Sequence, residues 1–134
     1  MRIEAYLRVL GREETVRAIH EATNRPNAEI KETQAPIDPL SKEMWWNWQT
    51  SRVPIDIDNT DDGLKKLLLA HRQIFPIIRR FEETDIYLEV VMQYKEGEEP
   101  WGLHLSAETV TLLSEMGGDL DVDAVTLVEK SQDS

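Results

Sequence analysis

Residues 103–123 read Leu103-His104-Leu105-Ser106-Ala107-Glu108-Thr109-Val110-Thr111-Leu112-Leu113-Ser114-Glu115-Met116-Gly117-Gly118-Asp119-Leu120-Asp121-Val122-Asp123. The boundaries inside this stretch set the fold class. Trp101, Leu103 and Leu105 alternate with other residue types, which predicts a strand. Ser106 is placed to cap a helix. That helix would carry Val110, Leu113 and Met116 on one side. Gly117 and Gly118 stop it, because glycine accepts the left-handed conformation at a helix C-terminus. Leu120, Val122 and Ala124 then alternate with aspartates and predict a final half-buried strand. Val125 to Val128 would extend it after a bulge that shifts the alternation.

The upstream chain shows the same two periods. Ile3, Ala5, Leu7 and Val9 alternate with Glu4, Tyr6 and Arg8, giving a first strand over residues 2–10. Gly11 breaks it. A helix from Glu13 carries Val16, Ile19 and Ala22 on one face, and Asn24 with Pro26 closes it. Ala28 to Thr33 reads as a short polar strand, residues 34–43 as a loop, and Met44 to Thr50 as a strand. Alternation puts Trp46 and Trp48 on one face and Trp45 with Asn47 on the other. Val53 to Asp58 reads as an extended linker. Leu64, Leu67, Leu68, His71 and Phe75 then recur at helical spacing. Pro76 predicts a kink or a second short helix over Pro76 to Glu82. Ile86, Leu88, Val90 and Met92 mark a clear strand, and Lys95 to Pro100 a hairpin-like connection.

The expected order is β-α-β-β-α-β-β-α-β. Strands that alternate, rather than running solidly apolar, predict an α+β fold: a mainly antiparallel sheet with helices packed on one face. At 134 residues the chain is expected to form a single domain over residues 1–130, followed by a frayed tail at 131–134.

Composition narrows the chemistry. There are no cysteines, so disulfides, cysteine-ligated metals and thiol nucleophiles are excluded. The sequence has no signal-like or membrane-length apolar run, and a cytoplasmic location with no membrane association is the expectation. The net charge is -11 and it is uneven. Residues 82–129 hold thirteen acids and one base, Lys95, whereas the rest holds thirteen acids and fourteen bases. Direct nucleic-acid binding is not expected of such a surface, since phosphates need cationic partners. A basic protein would be steered toward it.

The whole order, with the opening Tyr6-Leu7-Arg8-Val9-Leu10-Gly11, the strand Trp48-Gln49-Thr50-Ser51, the leucine-rich helix from Asp61 and above all Gly102 to Asp123, resembles the bacterial domain-of-unknown-function family 4279. The resemblance covers nearly the whole chain. It implies a small single-domain cytosolic protein, with immunity- or antitoxin-like binding as a role of that family type. It transfers no activity, cofactor or catalytic residue.

The residues themselves offer three candidates. Asp119, Asp121 and Asp123 share one face of the last strand, about 6.5–7 Å apart. Calcium-loop spacing fails, because Ala124 follows the third acid and Lys130 stands where a glutamate is needed. Trp45 and Trp46 offer aromatic anchors of the kind that dominate interfaces. His20, His71 and His104 are scattered, and no triad, His-Glu-x-x-His, phosphate loop or dinucleotide fingerprint occurs. The sequence therefore predicts a non-enzymatic, acidic protein-binding domain, an immunity-type inhibitor being one form of it. Its partner-binding residues would be Trp45, Trp46, Glu89, Asp119, Asp121 and Asp123, with no cofactor, no metal and an undetermined oligomeric state. The alternative is a small-molecule or divalent-metal-binding module, with or without weak hydrolytic activity.

Overall fold

The structure, a computed structural model, describes residues 1–99 and 102–127. It is an α+β fold built on one sheet. Strand β1 spans Arg2–Gly11, helix α1 Glu13–Thr23, β2 Glu29–Pro36, β3 Met44–Gln49 and β4 Val53–Ile55. Helix α2 covers Thr60–His71, the short α3 Phe75–Ile78, strand β5 Asp85–Lys95, α4 Ala107–Met116 and β6 Asp119–Leu127. The sheet order is β2-β3-β1-β5-β6, with β4 also paired to β1. All pairings are antiparallel except β5 with β6, which is parallel.

β1 is the axis. Ile3, Ala5, Leu7 and Val9 are buried beneath the helices, together with Leu88 and Val90 of β5 and Trp48 of β3. Val16 and Ile19 of α1, Leu64, Leu67 and Leu68 of α2, Phe75 and Ile78 of α3, and Leu112 and Met116 of α4 close the same core. Trp48 is fully buried, and its indole N–H donates to Nδ1 of His20 at 3.3 Å. That bond satisfies the one polar atom of a large apolar side chain.

One side of β1 is shared by two strands. β3 pairs with Arg8 to Gly11, and β4 pairs with Ile3 to Ala5. Thr50 spans the break between them. Its N–H donates to the Leu7 carbonyl at 3.0 Å, and its hydroxyl oxygen accepts from the Leu7 N–H at 3.0 Å. A side-chain oxygen thus replaces a missing strand neighbour in the middle of a buried ladder.

The structure corrects several expectations. The stretch 53–55 is not a linker but strand β4, and its Pro54 is tolerated because the strand is short and at the edge. Residues 102–105 form no strand, and Trp101 lies outside the described residues. The reason is occupancy: β1 and β6 take both sides of β5, leaving no ladder for a hairpin partner. Leu103 and Leu105 still pack against the core, while His104 is exposed. The chain crosses over through α4 instead, as a parallel neighbour requires. β6 pairs in unbroken register from Asp119 to Leu127, so the expected bulge is absent over those residues, and Val128 lies outside the described residues. Ala22 and Val110 face solvent; Thr23 and Leu112 take the buried positions on their helices. Beyond α2 the chain turns through a single 3-10 turn, Arg72–Ile74, into α3, with Pro76 in its first turn.

The helix signals in 106–118 act as read. The Ser106 side chain accepts from the Thr109 N–H, and Gly117 ends α4 at φ 76°. At Gly118 an added Cβ would stand 2.8 Å from the Ile86 carbonyl oxygen and 2.7 Å from Met116, so α4 turns into β6 only where no side chain exists.

Thr50→Val keeps the volume but removes the acceptor for the buried Leu7 N–H. It should cost about 1–3 kcal/mol, read as a lower urea midpoint with an unchanged slope. An unaltered midpoint would mean that the ladder does not depend on this hydroxyl.

Candidate functional site

The helices cover one face of the sheet. The other face is built by the alternate residues of the same strands. Register aligns Arg8, Tyr87 and Asp119 in one row, Tyr6, Glu89 and Asp121 in the next, and Glu4, Val91 and Asp123 in the third. Asn47 and Gln49 of β3 extend this face beyond β1.

Its centre is an ion pair. Arg8 donates through Nη2 and Nε to Oε1 of Glu89, at 2.6 and 3.0 Å, and through Nη1 to Oδ1 of Asn47 at 3.2 Å. Oδ2 of Asp121 stands 3.8 Å from the same guanidinium. The Arg8 guanidinium also lies over the Tyr87 ring, 4.5 Å from its centroid. Glu89 is only 5% exposed. Its carboxyl is pushed up to about 7, first by burial and then by hydrogen bonding with Asp121, against the opposing pull of Arg8. Placing a carboxyl here without Arg8 would leave a buried charge unpaired.

Around the pair lies a cavity of about 430 Å³, lined by Tyr6, Arg8, Asn47, Arg52, Glu89 and Val91 and, on the β5–β6 side, by Gln93, Asp121, Asp123 and Val125. Arg52, from the turn between β3 and β4, lies over the Tyr6 ring at 4.9 Å. Burial raises the Tyr6 hydroxyl above its ordinary pKa, which the Arg52 charge partly offsets. A larger concavity of about 570 Å³ lies on the helical side, beside Arg72, Arg79 and Arg80. There Arg72 is held by both oxygens of Glu115 and Arg79 by the Glu115 carbonyl, so two of its three cations are already satisfied.

Of the six residues singled out from the sequence, the fold brings Glu89, Asp119, Asp121 and Asp123 together on this face. Trp45 shares the face but stands on β3, three strand positions from β6, or about 14 Å at the usual spacing. Trp46 is on the opposite face, packed partly against the core with Arg17 over its ring at 5.2 Å. Tyr6, Arg8, Asn47, Arg52 and Gln93 were not singled out. A signal for Arg8 and Glu89 existed: each is a charge in the middle of a strongly apolar strand, and opposite charges in that position suit cross-strand pairing. Arg52 and Asn47 had none, because only the register places them.

His71 is half-buried, and burial followed by the Arg25 charge holds its pKa below the usual histidine range. Its Nδ1 is buried without a partner among the described residues. Among those residues no three of His, Asp and Glu converge to hold a metal ion, and no helix is long and apolar enough to cross a membrane.

A sequence-family comparison matches residues 1–127 to the Domain of unknown function (DUF4279). The chain belongs to that family. Comparison with curated proteins and comparison with solved structures each gave no match. The DUF4279 match runs from β1 through the last residue of β6, so it takes in every strand that builds the open face.

Because Glu89 has a higher pKa folded than its ordinary 4.5, the folded chain binds more protons between that value and about 7. Its contribution to stability is therefore present at the acid end and is lost as pH rises through this window. Glu89→Gln, which stays neutral, should flatten the decline. Urea midpoints measured across the window read it; an unchanged slope in the variant would assign the titration elsewhere.

Proposed function

We propose that this protein is a non-enzymatic binding domain whose helix-free sheet face receives a basic protein partner, an immunity-type inhibitor being one form of that role. The observation that carries this reading is the placement of Asp119, Asp121 and Asp123. All three are exposed, stand on the uncovered face and run along the edge strand β6. Arg8, which Glu89 already engages, and Arg52, which rests on the Tyr6 ring, are the cations lining the cavity beside them. The remaining negative charge is left for an approaching partner. Such a field acts mainly on association rate and on the choice of partner. Glu89, nearly sealed and bound to Arg8, supports this surface from beneath rather than meeting the partner itself.

The reading is tested by immobilising a lysine- and arginine-rich peptide and timing association at low ionic strength. Asp119→Lys with Asp121→Lys should slow it by about tenfold, and added salt should erase the difference. Glu13→Lys with Glu21→Lys, on α1, makes the same change in net charge on the helical side and should have a much smaller effect. Equal slowing by both pairs would reduce the attraction to overall charge and remove the role of this face.

A further inference from the structure

The cavity on the open face contains more than an acidic edge. Tyr6 is only 7% exposed, its hydroxyl is engaged by no hydrogen bond among the described residues, and it lines the cavity. The hydroxyl is not sealed, since among the described residues only Nδ1 of His71 is buried without a partner, so it stays open to a group entering the cavity. Its neighbours are similarly unused. Asp123 and Gln93 line the same cavity, and neither is engaged by a side-chain hydrogen bond or ion pair among the described residues. In the row of Asp123 itself Glu4 is paired with Arg2 at 3.0 Å, and in the next row Glu89 is paired with Arg8. Asp123 has no ion pair among the described residues, although Arg52 lines the same cavity.

Beside the donors of the Tyr6 hydroxyl and the Gln93 amide stand three unused acceptors: the Asp123 carboxylate, the lone pairs of the Tyr6 hydroxyl and the Gln93 carbonyl oxygen. They call for a group rich in N–H donors and carrying positive charge. Arg8 shows what fits such a place, since its own guanidinium sits between Glu89 and Asp121 and over the Tyr87 ring. At the opposite wall Arg52 rests on the Tyr6 ring with no carboxylate partner among the described residues, so its donors suit a carbonyl. The cavity is therefore two-ended, with acceptors towards β6 and donors towards the β3–β4 turn.

The geometry points to a socket for one cationic side-chain end, an arginine guanidinium or a lysine ammonium, held by Asp123, Tyr6 and Gln93 while Arg52 takes the main-chain carbonyl of the same residue. This rests on the reading of the open face as the surface that meets a basic partner, and it names the group that enters. Ion pairs of a guanidinium with a carboxylate are among the stronger hydrogen-bonded contacts. Charge attraction alone would leave Tyr6 and Gln93 indifferent; a socket would not.

The test is an NMR titration of the ¹⁵N-labelled intact protein with Nα-acetyl-arginine amide, its lysine counterpart, and the neutral citrulline counterpart. The cationic probes should give saturable shifts centred on Gln93, Asp123 and Val125, and the citrulline probe should give none. The stronger of the two cationic probes identifies the preferred side chain. Asp123→Asn should weaken that probe by about tenfold and Tyr6→Phe by about threefold. Both changes leave the helix-side core intact, and retained amide spectra would confirm folding. Absence of saturable shifts, equal binding of citrulline, or an unaffected Asp123→Asn would overturn the socket. If the socket fails while Asp119→Lys with Asp121→Lys still slows the basic peptide, the face attracts cations without seating one. If both fail, the reading of the face falls with it.

Discussion

A strand bonded on both sides cannot choose its side chains freely, and β1 is such a strand. β5 pairs along Arg2 to Leu10 on one side, while β3 and β4 divide the other. Its odd residues meet the helices and must be apolar. Its even residues lie on the face that no helix covers, yet at the centre of that face Tyr6 and Glu89 are both buried. Charges placed there must be paired within the sheet. Arg8 and Glu89 meet that requirement across the β1–β5 ladder, and the site grows around them.

The pair also sets the polarity of the face. By bonding to Glu89 and Asn47 and lying on Tyr87, Arg8 is fixed in place. It offsets one buried carboxyl and part of one exposed one. The strand outside it, β6, keeps its other acids. Aspartates along an edge strand deter another sheet from adding to it. On the function proposed above, the same charges would set an electrostatic preference among partners. Edge protection and the proposed recognition would then draw on the same three side chains.

The parallel placement of β6 is what brings these acids beside Arg8. A hairpin after β5 would have put residues 101–105 there, with His104 in place of an aspartate. Crossing over through α4 puts Asp121 in the row of Tyr6 and Glu89 instead. Tight contact at Gly118 holds that crossing, since the carbonyl of Ile86 occupies the space of any side chain.

The amino-acid sequence by itself determined the α+β class, most of the elements, the Ser106 cap, the Gly117 stop and the face on which each of the three β3 tryptophans lies. These are local properties: hydrophobic period, capping chemistry and backbone freedom act within a few residues. It also showed where the negative charge is concentrated. Which strands are neighbours was decided only by the tertiary structure. The apolar alternation of 101–105 is as strand-like as that of β6, but a strand exists only where a ladder has room for it. The same holds for the site. Arg8, Asn47, Arg52 and Glu89 are scattered along the chain, and their meeting depends on register between strands up to 81 positions apart. Long-range pairing carries no local signature, so the acids could be read from the sequence while the cavity they border could not.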